Sequence, residues 1–224
     1  TPVQRQFRGD AKLTWLKQYD PELLDVQSRI PGEYTLWSYI HGGQWEAAQA
    51  LFDSLSPERR NAVINQEELS IMQAARGDCE DSLAPLEQAH GGQVPVYGLV
   101  PPTFPRANSN LAANRVYCLQ RLGRQEEARA ILGRLEGYLE TLRENAECCF
   151  AVLDAKTRVL GGDQVGAVSV LEAGFERGEV DWRVRYDPVL QQLADDPGFQ
   201  ALLQRIDEMI DGLRRELGMP PADL

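Results

Sequence analysis

A pattern of small and large apolar positions recurs four times along the chain. In each copy a glycine is followed five residues later by a small residue and nine residues later by a large apolar residue. A glycine that ends one helix, followed by a small residue where the next helix packs closely, is typical of a helical hairpin. The pattern therefore predicts a helical repeat protein. The copies are Gly43, Ala48 and Phe52; Gly77, Ser82 and Leu86; Gly123, Ala128 and Leu132; and Gly162, Ala167 and Leu171.

Apolar residues at helical spacing on both sides of each glycine predict two helices per hairpin. The predicted pairs cover residues 36–40 with 45–55, 64–75 with 81–89, 111–122 with 126–138, and 146–160 with 165–175. Ser56 followed by Pro57 predicts a further helix start after the first pair. Hairpins of this kind bury a continuous core by stacking on one another.

The third copy carries the strongest resemblance to a known family. Its sequence at residues 111–132, LAANRVYCLQRLGRQEEARAIL, resembles a hairpin of the tetratricopeptide repeat (TPR) family, and the first two glycines are separated by that family's period of 34 residues. The resemblance covers residues 33–177 and implies an all-α fold, a right-handed α-α superhelix (TPR-like solenoid). Two features depart from the family: the next glycine spacings are 46 and 39 residues, and Arg115 and Arg158 stand where apolar residues are usual.

The pattern predicts one TPR-like domain with a helical cap at each end. Residues 1–31 form the N-terminal cap, residues 32–178 the four hairpins, and residues 179–224 the C-terminal capping helices. Asp187 and Asp196 each precede a proline, which predicts capped helices at 188–194 and 197–217. Residues 182–203 are similar to the C-terminal ends of TPR regions in bacterial signalling proteins, including membrane-anchored winged-helix regulators and nucleotide cyclases.

The longest glycine spacing contains an apolar, proline-rich insertion at residues 91–108. Its four prolines exclude a helix, and Pro101-Pro102 favours an extended course. The segment also contains Val94, Tyr97 and Phe104, and it is too apolar for a solvated linker. We expect it to pack on the helices, where it either covers exposed core or shapes the binding groove.

The charge of the chain limits its partners. A net charge of −11 opposes direct binding to nucleic acid or to anionic lipid. No apolar run approaches the roughly 20 residues that span a bilayer, so this segment is not expected to insert in a membrane. No signal peptide is visible. Because the chain begins at Thr1, we expect a processed or excised piece of a longer protein. A periplasmic part of a membrane-anchored protein is favoured over a cytoplasmic location.

Residues suited to catalysis are few. His41 and His90 both precede a Gly-Gly pair, where a histidine is expected to interact with the end of a helix. Consecutive carboxylates such as Glu67 and Glu68 diverge on a helix and are expected on solvated faces. The chain has no nucleophile elbow, phosphate loop or dinucleotide fingerprint. The sequence therefore predicts no enzymatic activity, no cofactor and no metal site.

The four cysteines leave two interpretations open. Cys79, Cys118, Cys148 and Cys149 all lie in helical patterns, where cysteine often acts as a small buried hydrophobe. In an oxidising compartment they would instead form disulfides, and four cysteines allow three pairings that spacing does not distinguish. Adjacent Cys148 and Cys149 point about 100° apart on a helix, unlike the ligands of a Cys-x-x-Cys zinc site.

The TPR resemblance implies where a partner would bind. In that family the first helix of each hairpin lines a concave groove that receives a peptide or a helix. Aromatic residues at such positions, here Trp37 and Tyr117, are the kind that dominate binding energy. The partner-binding residues that the resemblance implies are Tyr34, Trp37, His41, Ile64, Glu68, Ile71, Asn110, Asn114, Tyr117, Arg121 and Lys156.

The sequence thus predicts a non-catalytic protein-interaction or sensory scaffold, part of a larger bacterial signalling or envelope protein. Two alternatives stay open. A carboxylate-dependent hydrolase on a helical scaffold requires two carboxyl groups close together in a deep pocket, with a perturbed pKa. A self-assembly module would form a homodimer through the apolar face of the last helix.

Overall fold

A computed structural model of the chain describes residues 36, 39–40, 42–90, 105–144, 150–180 and 182–220. These residues form α-helices and short 3₁₀ turns, with no strand among them, which confirms the all-α class. The helices are α1 (Trp45–Ser54), α2 (Pro57–Arg60), α3 (Val63–Arg76), α4 (Cys79–His90), α5 (Pro105–Arg121), α6 (Gln125–Glu144), α7 (Ala151–Leu160), α8 (Gln164–Arg177) and α9 (Pro197–Glu216), with 3₁₀ turns at Trp182–Arg185 and Leu190–Leu193.

The four glycines of the sequence pattern occupy the turns between paired helices. Gly43, Gly77, Gly123 and Gly162 have φ angles of 68°, 86°, 75° and 88°. This left-handed conformation is accessible to glycine at little cost, since glycine has no Cβ. The turn can then reverse the chain within two or three residues, so that the second helix packs beside the first.

The small residues of the pattern lie where paired helices meet. Ala48, Ser82, Ala128 and Ala167 are each at most 1% exposed. Ser82 also links its pair directly, because its hydroxyl donates a 2.9 Å hydrogen bond to the Ser70 carbonyl on α3. A larger side chain at these positions would separate the two helix backbones. The small position predicted from the sequence is therefore buried in all four copies.

Helix packing follows the order of the chain. The most extensive contacts are within the pairs α3–α4, α5–α6 and α7–α8. The first helices also contact each other in sequence, α3 with α5 and α5 with α7, and α9 packs on α8. Leu36, Ile40, Ala48, Phe52 and Met72 form a small core at the first hairpin. A larger core runs from α3 to α9 and includes four buried apolar residues of the last helix, Phe199, Leu202, Ile206 and Ile210.

Four predicted boundaries are wrong. Helix α6 ends at Glu144 rather than at 138. Helix α5 begins at Pro105, inside the segment expected to be non-helical, because proline is compatible with the first turn of a helix. Helix α7 begins at Ala151 rather than 146, since Phe150 has non-helical angles of φ −114° and ψ 10°. The helix predicted at 188–194 is the short 3₁₀ turn Leu190–Leu193. The N-terminal cap at 1–31 and insertion residues 91–104 lie outside the described residues.

The predicted cap at Asp196 is confirmed, whereas Asp187 binds the backbone just before a 3₁₀ turn rather than capping a helix. The Asp187 carboxylate accepts hydrogen bonds from the backbone N–H groups of Val189 and Leu190, at 2.9 and 3.2 Å. Asp196 accepts from the N–H groups of Gly198 and Phe199 and begins α9, with Pro197 in the first turn. These bonds satisfy backbone donors that a helix start leaves without partners.

Gly174 on α8 tests how closely α7 and α8 pack, and Gly133 on α6 serves as its control. A Cβ atom at Gly174 would overlap the Cβ of Ala151 and lie 2.9 Å from a Val180 methyl, whereas a Cβ at Gly133 on α6 meets nothing within 4 Å. We expect Gly174→Ala to lower the free energy of unfolding by about 1–3 kcal/mol through overpacking. Gly133→Ala should raise it by roughly 0.5–1 kcal/mol through helix propensity. Guanidinium unfolding of the two variants measures both; equal effects would mean that α7 and α8 are not in close contact at Gly174.

Candidate functional site

The structure describes the side chains of six of the eleven predicted partner-binding residues. Tyr34, Trp37 and His41 lie outside the described residues, as do the side chains of Ile64 and Asn110. The remaining six lie on the first helices of three consecutive pairs. They are Glu68 and Ile71 on α3, Asn114, Tyr117 and Arg121 on α5, and Lys156 on α7.

Lys156 and Asn114 come together in a buried polar contact. The Lys156 ammonium donates hydrogen bonds to Asn114 Oδ1, at 2.6 Å, and to Asp187 Oδ2, at 2.7 Å. The Lys156 side chain is 1% exposed and that of Asp187 is 18% exposed. A charge removed from water to this degree requires an opposite charge and hydrogen bonds. Asp187 supplies both from the segment that follows the last hairpin.

Asp187 therefore serves two parts of the fold at once. One carboxylate oxygen accepts hydrogen bonds from the backbone N–H groups of Val189 and Leu190, and the other interacts with the ammonium of Lys156. The sequence indicated the backbone contacts but not the ion pair. Two of the predicted groove residues, Asn114 and Lys156, are thus engaged within the chain, and a partner would have to displace Asp187 to contact them.

Tyr186 extends this contact to the first hairpin. Its ring lies edge-on to Trp45, with the ring centroids 6.5 Å apart and an interplanar angle of 84°. A Cβ atom at Gly43 would lie only 2.6 Å from the Tyr186 ring, so the turn glycine also makes room for the aromatic side chain. Tyr186 and Asp187 together join the first hairpin to α5 and α7.

Among the predicted residues whose side chains the structure describes, Tyr117 and Arg121 form an accessible pair. The Arg121 guanidinium carbon lies 5.6 Å from the centroid of the Tyr117 ring, within the range of a cation–π interaction. Burial raises the pKa of Tyr117, while the charge and hydrogen bond of Arg121 act in the opposite direction. Tyr117 is half-buried and Arg121 is exposed. A partner can therefore reach this pair without displacing any helix.

Arg121 lines a cavity of about 370 Å³ between the second and third hairpins. The other lining residues are Gly77, Asp78, Cys79, Glu80, Asp81 and Leu122. A second cavity of about 340 Å³ shares Glu80 and Leu122 with it, and a third of about 550 Å³ lies between the first and second hairpins. The cavity beside Arg121 thus combines one guanidinium with three carboxylates, those of Asp78, Glu80 and Asp81.

Glu68 does not lie on a solvated face as expected. It is 8% exposed, on the side of α3 that faces the interior. Burial raises the pKa of Glu68 from 4.5 to about 8, and the neighbouring charge of Glu67 adds to the rise. The raised pKa favours the protonated, neutral form of the carboxyl at pH 7. Ile71, on the same helix, is half-buried against the small core.

Neither a metal centre nor a membrane span is found among the residues described. No three His, Cys, Asp or Glu side chains cluster there in an arrangement that could hold a metal ion. None of the helices seen in those ranges has both the length and the apolarity needed to cross a bilayer. The protein was also compared with known proteins: no family model, no curated protein and no solved structure matches the chain.

The ion pair of Lys156 gives a stability prediction. Asp187→Asn keeps an oxygen for the backbone N–H groups but removes the charge that faces the buried ammonium. We expect the free energy of unfolding to fall by about 3 kcal/mol. Asp195→Asn, at an exposed position in the same segment, should change it by less than about 0.5 kcal/mol. Urea unfolding compares the two variants; equal losses would show that Lys156 does not depend on Asp187.

Glu68 gives a prediction for pH dependence. The unfolded chain releases this proton near pH 4.5, whereas the folded protein keeps it until about pH 8. Between these values the folded state binds more protons, so the stability contributed by Glu68 falls as pH rises, by up to roughly 1.4 kcal/mol per pH unit. Glu68→Gln stays neutral and should remove this slope. Unfolding free energies measured across the window, with exposed Glu136→Gln as control, test this; a slope unchanged in Glu68→Gln would contradict it.

Proposed function

We propose that the helix pairs stack as a right-handed, TPR-type superhelix and that the protein is a non-catalytic interaction scaffold for a partner peptide or helix. One observation carries the proposal: the first helices of the last three pairs pack against one another in sequence, α3 on α5 and α5 on α7. The second helices α4 and α6 also pack against the first helix of the following pair. Such neighbour-to-neighbour packing is the basis of repeat superhelices and of their extended binding surfaces.

We place the accessible binding surface at Tyr117 and Arg121 and the adjoining cavity. An aromatic ring with a guanidinium stacked on it is a frequent source of binding energy in interfaces. Three carboxylates line the same cavity, and the chain carries a net charge of −11. Both features favour a partner with basic side chains, because complementary charge accelerates association and excludes acidic partners.

A larger biological setting follows from the sequence resemblance. The C-terminal segment is similar to TPR regions of bacterial signalling proteins, and we propose that this chain is the interaction or sensory part of such a signalling or envelope protein. The partner would then pass its signal through binding at the helix pairs. This setting rests on residues 182–203 and on the repeat pattern.

The two alternatives receive less support from the geometry. A hydrolase would use carboxyl groups such as the three that line the cavity beside Arg121, but the carboxyl whose pKa burial raises to about 8, Glu68, lines none of the cavities named above. Self-assembly through the last helix would require an exposed apolar face. Phe199, Leu202, Ile206 and Ile210 are instead buried against the protein's own core.

Site-specific photo-crosslinking tests the proposed surface. A photoreactive side chain at position 121 should capture the partner, whereas one at Arg129, exposed on the second helix α6, should not. Tyr117→Ala should weaken partner binding at least about tenfold, since truncating an aromatic anchor commonly costs more than 1 kcal/mol. Trp37→Ala extends the test to the first hairpin. Equal capture at both positions, with unchanged affinity of Tyr117→Ala, would refute the binding surface.

A further inference from the structure

The cavity between the first and second hairpins, of about 550 Å³, carries two opposite charges in its lining. They are Arg60, the last residue of α2, and Asp81, in the first turn of α4. Within the part of the chain that the structure describes, neither side chain takes part in an ion pair or a hydrogen bond. A cation and an anion that border the same space without pairing can each interact with a ligand that carries both charges.

The backbone of Arg60 is held in place by two amide side chains of α3. Gln66 donates a 2.5 Å hydrogen bond to the Arg60 carbonyl, and Asn65 donates one of 2.7 Å to the Arg59 carbonyl. Gln66 and Asn65 are buried, with exposures of 7% and 3%. The Arg60 side chain is itself half-buried, and its Nε atom has no acceptor among the described residues. A carboxylate matches the shape and charge of a guanidinium, so a ligand carboxylate would supply the partner that the chain does not.

Asp81 and Pro85 supply acceptors from α4 to the same cavity. The Asp81 side chain is exposed, and its carboxylate attracts a ligand ammonium. Pro85 lies four residues later within the helix and has no N–H. The Asp81 carbonyl therefore lacks the hydrogen bond that a helix would donate to it, and it remains an acceptor for a ligand N–H.

Apolar side chains form the rest of one wall. Those that line the cavity are Phe52, Pro57, Leu69, Ala84 and Pro85. A concave space of several hundred Å³ with apolar walls and a few charged groups is typical of a small-molecule site. An apolar ligand side chain would be removed from water there, while the charged groups of the lining fix its orientation.

We propose that this cavity binds a small zwitterionic amino compound, either an amino acid or a dipeptide, that has an apolar side chain. Its carboxylate binds Arg60, its ammonium binds Asp81, and its side chain packs against Phe52 and Leu69. A simple anion would be repelled by Asp81 and a simple cation by Arg60, whereas a zwitterion meets an opposite charge at each residue. The site is separate from the proposed partner surface, because Arg60 does not line the cavity beside Arg121.

Calorimetric titration of the full chain with L-leucine and with leucyl-leucine tests the proposal. We expect at least one of them to bind with a Kd on the order of 100 µM, and the tighter ligand identifies the preferred length. Acetylating the amino group of that ligand removes its ammonium, and amidating its carboxyl group removes its negative charge. Each modification should weaken binding at least about tenfold, since a charge on the protein then loses its partner.

Variants of the chain assign each charge to its residue. Arg60→Gln should weaken the unmodified ligand about tenfold but leave the affinity for the amidated ligand almost unchanged, because that ligand has no carboxylate to lose. Asp81→Asn should likewise weaken the unmodified ligand but not the acetylated one. Arg59→Gln is the matched control: Arg59 is exposed on α2, does not line the cavity, and its variant should bind as the wild type does.

Three results would overturn the proposed ligand site. They are the absence of binding by both compounds at millimolar concentration, equal affinity for the unmodified and the amidated ligand, and wild-type affinity in Arg60→Gln. Circular dichroism shows whether each variant folds. The modified ligands test the same charges on the wild-type chain, so a variant that unfolds does not leave the proposal untested.

Discussion

The arrangement of the described helices depends on the ion pair between the buried ammonium of Lys156 and the carboxylate of Asp187. A lysine that is almost completely removed from water needs an anion, and in this protein that anion is Asp187. The ion pair fixes the segment after the last hairpin against α7, and Asn114 extends the contact to α5. Tyr186, the residue before Asp187, then lies against Trp45 and Gly43 of the first hairpin. The Lys156–Asp187 ion pair thus brings the segment after the last hairpin into contact with α7 and with the first hairpin.

This contact also determines which part of the predicted groove is open. Asn114 and Lys156 are buried residues of the first helices, and the TPR resemblance implies partner contacts for both. In the structure Lys156 instead binds Asn114 and the protein's own Asp187 carboxylate. Tyr117 and Arg121 lie further along α5 and remain accessible. The surface that we assign to a partner is therefore smaller than the sequence implied, and it lies beside the turn at Gly77.

Much of the fold was predictable because its determinants are local. The turn glycines, the small residues five positions later and the aspartate cap at Asp196 each act within a few residues, so their pattern is visible in the sequence. The errors have local causes too: Pro105 is compatible with a helix start, and Phe150 interrupts the helical angles. The site was harder to predict, because the partner of Lys156 is 31 residues away on a different element. Helical periodicity likewise did not indicate that Glu68 is buried, since that depends on how α3 packs against its neighbours.

The contact between Tyr186 and the turn at Gly43 has a consequence for how the chain folds. In a simple repeat array each unit touches only its neighbours, so units can order one after another and terminal units can be lost separately. Here an aromatic ring from beyond the last hairpin packs on the glycine turn of the first. The first hairpin therefore completes its packing only after the distant end of the chain has arrived, which couples the two ends into one cooperative unit despite the modular sequence.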